Sequence, residues 1–82
     1  MMRTFRNFDR ITSDPAILAG KPCIRGMRIS VQRLLEILAE NPDWNDIRQD
    51  YPDLEPEDIK QTLGFAASMM SDRIIPFDVL AA

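Results

Sequence analysis

A short block of cations offers the clearest chemistry in this sequence. Lys21, Arg25 and Arg28 lie among two glycines and a proline. A guanidinium can bind two oxygens of a phosphate or carboxylate at once, so the block predicts a contact with a DNA backbone or with partner carboxylates. The structural alternative is that these arginines pair with Asp46 and Asp50 and hold the block against the helices.

The residue types that are missing exclude most catalytic chemistry. The 82 residues contain no histidine, which removes the commonest general base and the commonest metal ligand. A single cysteine, Cys23, rules out an intrachain disulfide and a cysteine cluster for zinc. The carboxylates follow no spaced metal motif. We therefore expect a binding protein, not an enzyme, with no cofactor, no metal and no small-molecule substrate.

The two halves of the chain carry opposite charge. Up to Leu35 there are seven basic and two acidic residues, and the remainder has three basic and eleven acidic ones, within a net charge of −3. A basic half suits contact with a polyanion. The candidate DNA-binding residues are Arg3, Arg6, Arg10, Lys21, Arg25 and Arg28.

The first thirty residues predict short strands and turns. Arg10 to Thr12 is a β-type run, and Cys23 to Ile29 reads as a loose hairpin that bends at Gly26. Two short strands are not stable alone, so they must lie on the helices or pair with a second chain.

Three helices follow. Ser30 is a good N-cap for a first helix that runs to about Glu40, and Asp43 caps a second one. Pro56 stands in the first turn of a third helix. Its expected buried stripe is Ile59, Leu63, Ala66, Ala67 and Met70.

The turns between these helices are tight, which predicts a compact three-helix bundle. The second and third helices have the proportions of a helix-turn-helix. The third helix is a poor DNA-reading helix, because Glu55, Glu57 and Asp58 at its start would repel phosphate. Any DNA contact is therefore expected from the basic half, made by a dimer.

The end of the chain carries more apolar surface than one small core needs. It is predicted to be an extended tail that either folds back over the bundle or captures a partner by adding a strand to the partner's sheet. The third helix is expected to contribute to the same interface, also as a homodimer contact. The candidate partner-binding residues are Phe65, Met69, Arg73, Ile74, Ile75, Phe77, Val79 and Leu80.

The block that begins at Gly20 carries a family resemblance. Gly-Lys-Pro-Cys-Ile-Arg-Gly-Met-Arg-Ile, preceded by Arg10-Ile11 and Asp14-Pro15, is similar to the signature of the prokaryotic family called domain of unknown function 433. Asp-Tyr-Pro-Asp-Leu and Pro-Glu-Asp-Ile follow in that family's order. The departures are Met27 in place of threonine, Ser30 in place of proline, and Glu55 in place of threonine or serine.

The resemblance implies both a fold and a function. The expected fold is mainly α, a homeodomain-like three-helix bundle (helix-turn-helix) with a short N-terminal β element. We expect one domain over residues 1–73 and an extended apolar C-terminal tail over 74–82. The implied function is that of an antitoxin in a type II toxin–antitoxin pair, binding and neutralising a PIN-like ribonuclease toxin. Repression of its own operon is a further role that the resemblance implies. Arg73 or the N-terminal arginines could enter the carboxylate-lined site of such a toxin.

Two other functions remain open at this point. One is a stand-alone DNA-binding regulator, and the other is a dimerisation module without a toxin. No apolar run reaches the length of a membrane span or of a signal-peptide core, and the lone cysteine fits a reducing compartment, so we expect a cytoplasmic protein.

Overall fold

The computed structural model describes residues 1–70, which form a small sheet and three helices. The strands are β1 (Arg3–Phe5), β2 (Phe8–Ser13) and β3 (Cys23–Ile24). The helices are α1 (Val31–Glu40), α2 (Trp44–Asp50) and α3 (Pro56–Met70), and a 3-10 turn spans Leu18–Gly20. The predicted tail over 74–82 lies outside the described residues.

The expectation of a mainly α, homeodomain-like bundle is wrong, because the fold is mixed α/β. The three strands form one antiparallel sheet in the order β1-β2-β3. Ile11 of β2 and Ile24 of β3 are fully buried against the helices. The sheet therefore contributes fully buried side chains to the core, alongside those of the helices.

The strand missed by the sequence reasoning is β1. It pairs with β2 across a tight turn at Arg6 and Asn7, and Asn7 has a φ of 71°. Asparagine tolerates the left-handed region, so Asn7 was a turn signal in the sequence. The run from Arg3 to Phe5 is only three residues long and shows no clear alternation, which is why its pairing was not foreseen.

The turn expected at Gly26 is present, but the predicted second strand of the hairpin, Met27 to Ile29, is not formed. The amide of Met27 donates to the carbonyl of Ile24 at 2.7 Å, and Cys23 bridges Ser30 in antiparallel fashion. The two central residues of the turn, Arg25 and Gly26, have φ values of 45° and 71°. Positive φ at both central positions is the geometry of a type I′ turn, which matches the twist of paired strands.

The predicted helix starts are confirmed. Ser30 Oγ accepts the amide of Arg33 at 2.9 Å, and Asp43 Oδ1 accepts the amide of Asn45 at 2.8 Å. Glu55 has no hydroxyl to cap α3. Instead, its own amide donates to Asp58 Oδ2 at 2.8 Å, which is one half of a capping box.

The face of α3 that meets the core differs from the predicted stripe. Asp58, Thr62 and Phe65 are buried, whereas Leu63 and Met70 are 51% and 55% exposed. Because the polar residues Asp58 and Thr62 occupy the inner face of α3, the face that packs on the core is not the most apolar face of the helix. A run of apolar residues at helical spacing is therefore left largely outside the core.

Phe65 joins α3 to the sheet. Its ring meets those of Phe5 and Phe8 edge-on, with centroid distances of 4.9 and 5.5 Å. This is a favourable arrangement for aromatic pairs. The three rings hold the β1–β2 hairpin on the helix.

The single thiol is internal. Cys23 is 2% exposed, and its Sγ lies 3.2 Å from the carbonyl oxygen of Lys21. Burial raises the pKa of Cys23 above its usual range, against the opposing effect of the charges on Arg28 and Lys21. The thiol therefore stays protonated and inert at neutral pH. Over the described residues, no helix is long and apolar enough to cross a membrane.

Candidate binding surfaces

The densest group of charges, which we call the arginine–aspartate cluster, consists of Arg10, Arg25, Glu55 and Asp58. Asp58 is fully buried. Its Oδ1 accepts Arg25 Nε at 2.9 Å and Arg10 Nη1 at 3.0 Å, and its Oδ2 accepts Arg25 Nη2 and the Glu55 amide. A carboxylate has about four lone-pair sites. All four are occupied from within the chain.

The cluster shifts the titration of its members. Burial by itself would raise the pKa of Asp58, but hydrogen bonds from Arg25, the Glu55 amide and Arg10 outweigh it, so the pKa lies below its usual range. The pKa of Arg10 is raised most by its hydrogen bond to Glu55. The pKa of Arg25 is raised most by its hydrogen bond to Asp58. Asp58 is therefore ionised at neutral pH and firmly held.

The cluster fastens the sheet to the start of α3. Arg10 comes from β2, and its amide also donates to Gln61 Oε1 at 2.9 Å, while Gln61 Nε2 donates to Asp9 at 2.7 Å. Arg25 reaches Asp58 from the hairpin turn and donates to the carbonyl of Asp53 as well. Three parts of the chain that are distant in sequence meet at one carboxylate.

The alternative that Arg25 forms a structural ion pair is confirmed, but the partner expected from the sequence is wrong. Arg25 pairs with Asp58 of α3 and not with Asp46 or Asp50 of α2. Asp46 instead accepts a hydrogen bond from Asn41.

The six predicted DNA-binding residues fall into two sets. Arg10 and Arg25 are engaged with Asp58. The other four form no ion pair with any residue in 1–70; they are Arg3, Arg6, Lys21 and Arg28.

Three of these four cations lie towards one end of the sheet. Arg3 is opposite Ser13 in the β1–β2 register, and Ser13 Oγ donates to the carbonyl of Gly20, the residue before Lys21. Lys21 and Arg28 are both close enough to Cys23 to affect its pKa. Arg6 is apart from them, in the β1–β2 turn.

An apolar concavity lies between α1 and α3. This α1–α3 groove has a volume of about 760 Å³. It is lined by Pro22, Val31, Gln32, Leu35, Phe65, Ala66, Met69 and Met70. Among residues 1–70, Gln32 is the only polar side chain that lines it, and none of these lining residues is charged.

Two of the predicted partner-binding residues meet in this groove. Phe65 is 7% exposed, whereas Met69 is 58% exposed. Phe65 is thus mainly a core residue that presents an edge to the groove. The remaining predicted residues lie outside the described part of the chain; they are Arg73, Ile74, Ile75, Phe77, Val79 and Leu80.

The sequence reasoning missed the α1 side of the groove. Val31 and Leu35 were assigned to a core stripe, and Leu35 is in fact only half-buried. The position of Thr62 was also unforeseen. It is fully buried, and its hydroxyl has no hydrogen-bond partner within residues 1–70. A threonine followed by apolar residues carries no signal of either feature.

No group of three or more metal-ligating side chains is gathered in the part of the chain that the structure describes. The fold and these surfaces define a small α/β protein. The arginine–aspartate cluster around the buried Asp58 joins its sheet to α3, and an apolar groove lies between α1 and α3. Residues 11–66, more than half of the chain, match the family described as "Protein of unknown function (DUF433)", and the chain belongs to that family. Comparisons with curated proteins and with solved structures found no match.

Proposed function

We propose that this protein is an antitoxin that binds and neutralises a PIN-like ribonuclease toxin. The α1–α3 groove carries the proposal. It is apolar and uncharged, and it collects Phe65 and Met69, two residues predicted from the sequence to bind a partner. Solvent-facing apolar concavities of this kind are typical of protein–protein contacts.

The state of the charged groups supports a binding role over a catalytic one. Asp58 has no lone pair left for a substrate proton or a metal ion, because the chain itself supplies four donors. Its neighbours Arg10 and Arg25 are bound to it in turn. The cluster therefore holds the fold in shape and leaves recognition to other surfaces.

The test is co-expression with a PIN-like ribonuclease encoded beside the gene. The tagged wild-type protein is expected to co-purify with the ribonuclease and to suppress its cleavage of RNA. Met69→Asp places a charge at the rim of the groove and is expected to lower both by at least tenfold. Leu63→Asp on the same helix is the matched control, since Leu63 is 51% exposed and does not line the groove.

Two results would refute the proposal. One is full ribonuclease activity in the presence of excess wild-type protein. The other is equal inhibition by wild type and Met69→Asp, which would remove the groove from the interface. Circular dichroism of each variant shows whether the fold is retained.

A second candidate function, DNA binding, is favoured by the four cations that form no ion pair within residues 1–70. Arg3, Lys21 and Arg28 lie towards one end of the sheet, where they could follow a phosphate backbone. Affinity for DNA from the protein's own promoter should then fall with salt, with a log–log slope of order −3 per protomer.

Substitution of single cations tests that candidate. Arg28→Gln is expected to reduce the size of the slope by about 0.9, the contribution of one phosphate. Arg33→Gln is the control, because Arg33 is paired with Glu36 on α1. Equal slopes for wild type and Arg28→Gln would mean that this end of the sheet does not contact DNA.

A further inference from the structure

The exit point of the chain lies on the α1–α3 groove. The last described residue, Met70, lines the groove and is 55% exposed, and Met69 beside it is 58% exposed. The chain continues from here into Asp72 and Arg73 and then into a run of mostly apolar residues. Whatever covers the groove must compete with a segment that starts at its edge.

We propose that in the free protein residues 74–80 of the same chain occupy the α1–α3 groove. The composition of the two surfaces matches. None of the described residues that line the groove is charged, and the segment Ile-Ile-Pro-Phe-Asp-Val-Leu has one charged side chain, Asp78. Burying an apolar side chain such as Phe77 is favourable, whereas a charged partner surface would find no counter-charge there.

The lengths also match. Seven extended residues span about 23 Å, and the three residues that connect them to Met70 add about 10 Å. Helix α1, which forms one wall, has ten residues and is about 15 Å long. The segment can therefore reach along the whole wall without altering the described fold.

A tether this short favours the same chain over a second copy. A segment held by a few residues has an effective concentration in the millimolar range. At micromolar protein concentration, another copy competes at a large disadvantage. A partner that uses the groove, including the toxin proposed above, must then displace the segment, which lowers its apparent affinity. The occupancy itself does not depend on the identity of that partner.

Five methionine methyl groups allow a direct test in the full chain. In protein labelled with ¹³C at the methionine methyls, Met69 and Met70 report on the groove. Met1, Met2 and Met27 do not line it. Phe77→Asp is expected to shift the Met69 and Met70 signals and to lower the Tm by about 4 °C or more. The matched control Ala81→Asp, outside residues 74–80, should change neither.

Three outcomes would overturn the proposal. In the first, the Met69 and Met70 signals are the same in Phe77→Asp and in wild type. In the second, Ala81→Asp shifts them as much as Phe77→Asp does. In the third, the wild-type signals change on tenfold dilution while the mass in solution falls from dimer to monomer, which would identify a second copy as the occupant. No ribonuclease is present, so failure here is distinct from failure of the antitoxin function.

Discussion

The two ends of α3 differ in how completely their side chains are engaged within the described chain. At its start, Asp58 is fully buried and accepts four hydrogen bonds from the chain itself. At its end, Met69 and Met70 are more than half exposed beside an uncharged groove. The charged end has the composition of a binding site, but the hydrogen-bond acceptors of Asp58 are all used within the chain. The apolar end leaves exposed apolar surface that a further contact can bury.

This contrast shows why charge alone is a poor guide to a binding surface. Ion pairs can be completed within one chain, and a completed pair offers little to a partner. Exposed apolar area, by contrast, gains free energy when a further contact removes it from water. Three substitutions and one pH titration can break or sharpen the contrast.

The largest effect is expected from Phe65, which belongs to both the core and the groove. Phe65→Ala removes the ring that contacts Phe5 and Phe8 and should lower the free energy of unfolding by about 3–4 kcal/mol in chemical denaturation. Leu63→Ala on the same helix is the control, because Leu63 is half-exposed. A larger loss for Leu63 than for Phe65 would reverse our assignment of the core face.

Breaking the arginine–aspartate cluster should come next. Asp58→Asn leaves Arg10 and Arg25 without their shared carboxylate, and we expect a loss of about 3 kcal/mol in the free energy of unfolding. Glu57→Gln, an exposed neighbour in the same helical turn, should stay within about 0.5 kcal/mol of wild type. Equal effects would mean that the cluster does not stabilise the fold.

Acid should weaken the same cluster in the wild-type protein. The folded-state pKa of Asp58 lies below the unfolded-state value of about 3.9. Its contribution to stability is therefore complete above that unfolded-state value and is lost as the pH falls through the folded-state pKa. Denaturation curves between pH 6 and pH 2 should show a steeper decline for wild type than for Asp58→Asn. Parallel declines would show that other carboxylates carry the acid sensitivity.

The smallest expected effect is a gain. Thr62 is fully buried with a hydroxyl that lacks a hydrogen-bond partner within the described residues. Thr62→Val keeps the shape and removes that group, so we expect the free energy of unfolding to rise by about 1 kcal/mol. Thr62→Ser, which keeps the hydroxyl and loses the methyl, should instead be destabilising. A loss of stability in Thr62→Val would indicate a hydrogen bond to that hydroxyl.

The local features of the fold could be predicted from the sequence, and the long-range ones could not. Ser30, Asp43 and Pro56 mark helix starts because capping acts over a few residues. The position of Asp58 depends on Arg10 and Arg25, which are 48 and 33 residues away, so no local pattern shows that a carboxylate takes a core position. The predicted stripe on α3 failed for that reason.

In the candidate site, too, single-residue features could be predicted from the sequence and contacts between helices could not. Met69 was singled out correctly as an exposed apolar residue of α3, since it lies outside the predicted stripe. That Val31 and Leu35 of α1 would line the same concavity depends on how α1 packs against α3. Similarly, six arginines and lysines looked alike in the sequence, and only the fold separates the two that bind Asp58 from the rest.

The internal position of Cys23 gives the molecule a built-in reporter. Cys23 is 2% exposed, and its thiol donates a hydrogen bond to the carbonyl of Lys21, so an alkylating reagent can reach the sulfur only after this edge strand opens. Because the sequence contains one cysteine, the rate of its alkylation reports the opening of β3. A partner that clamps the molecule shut would slow that reaction without touching the thiol.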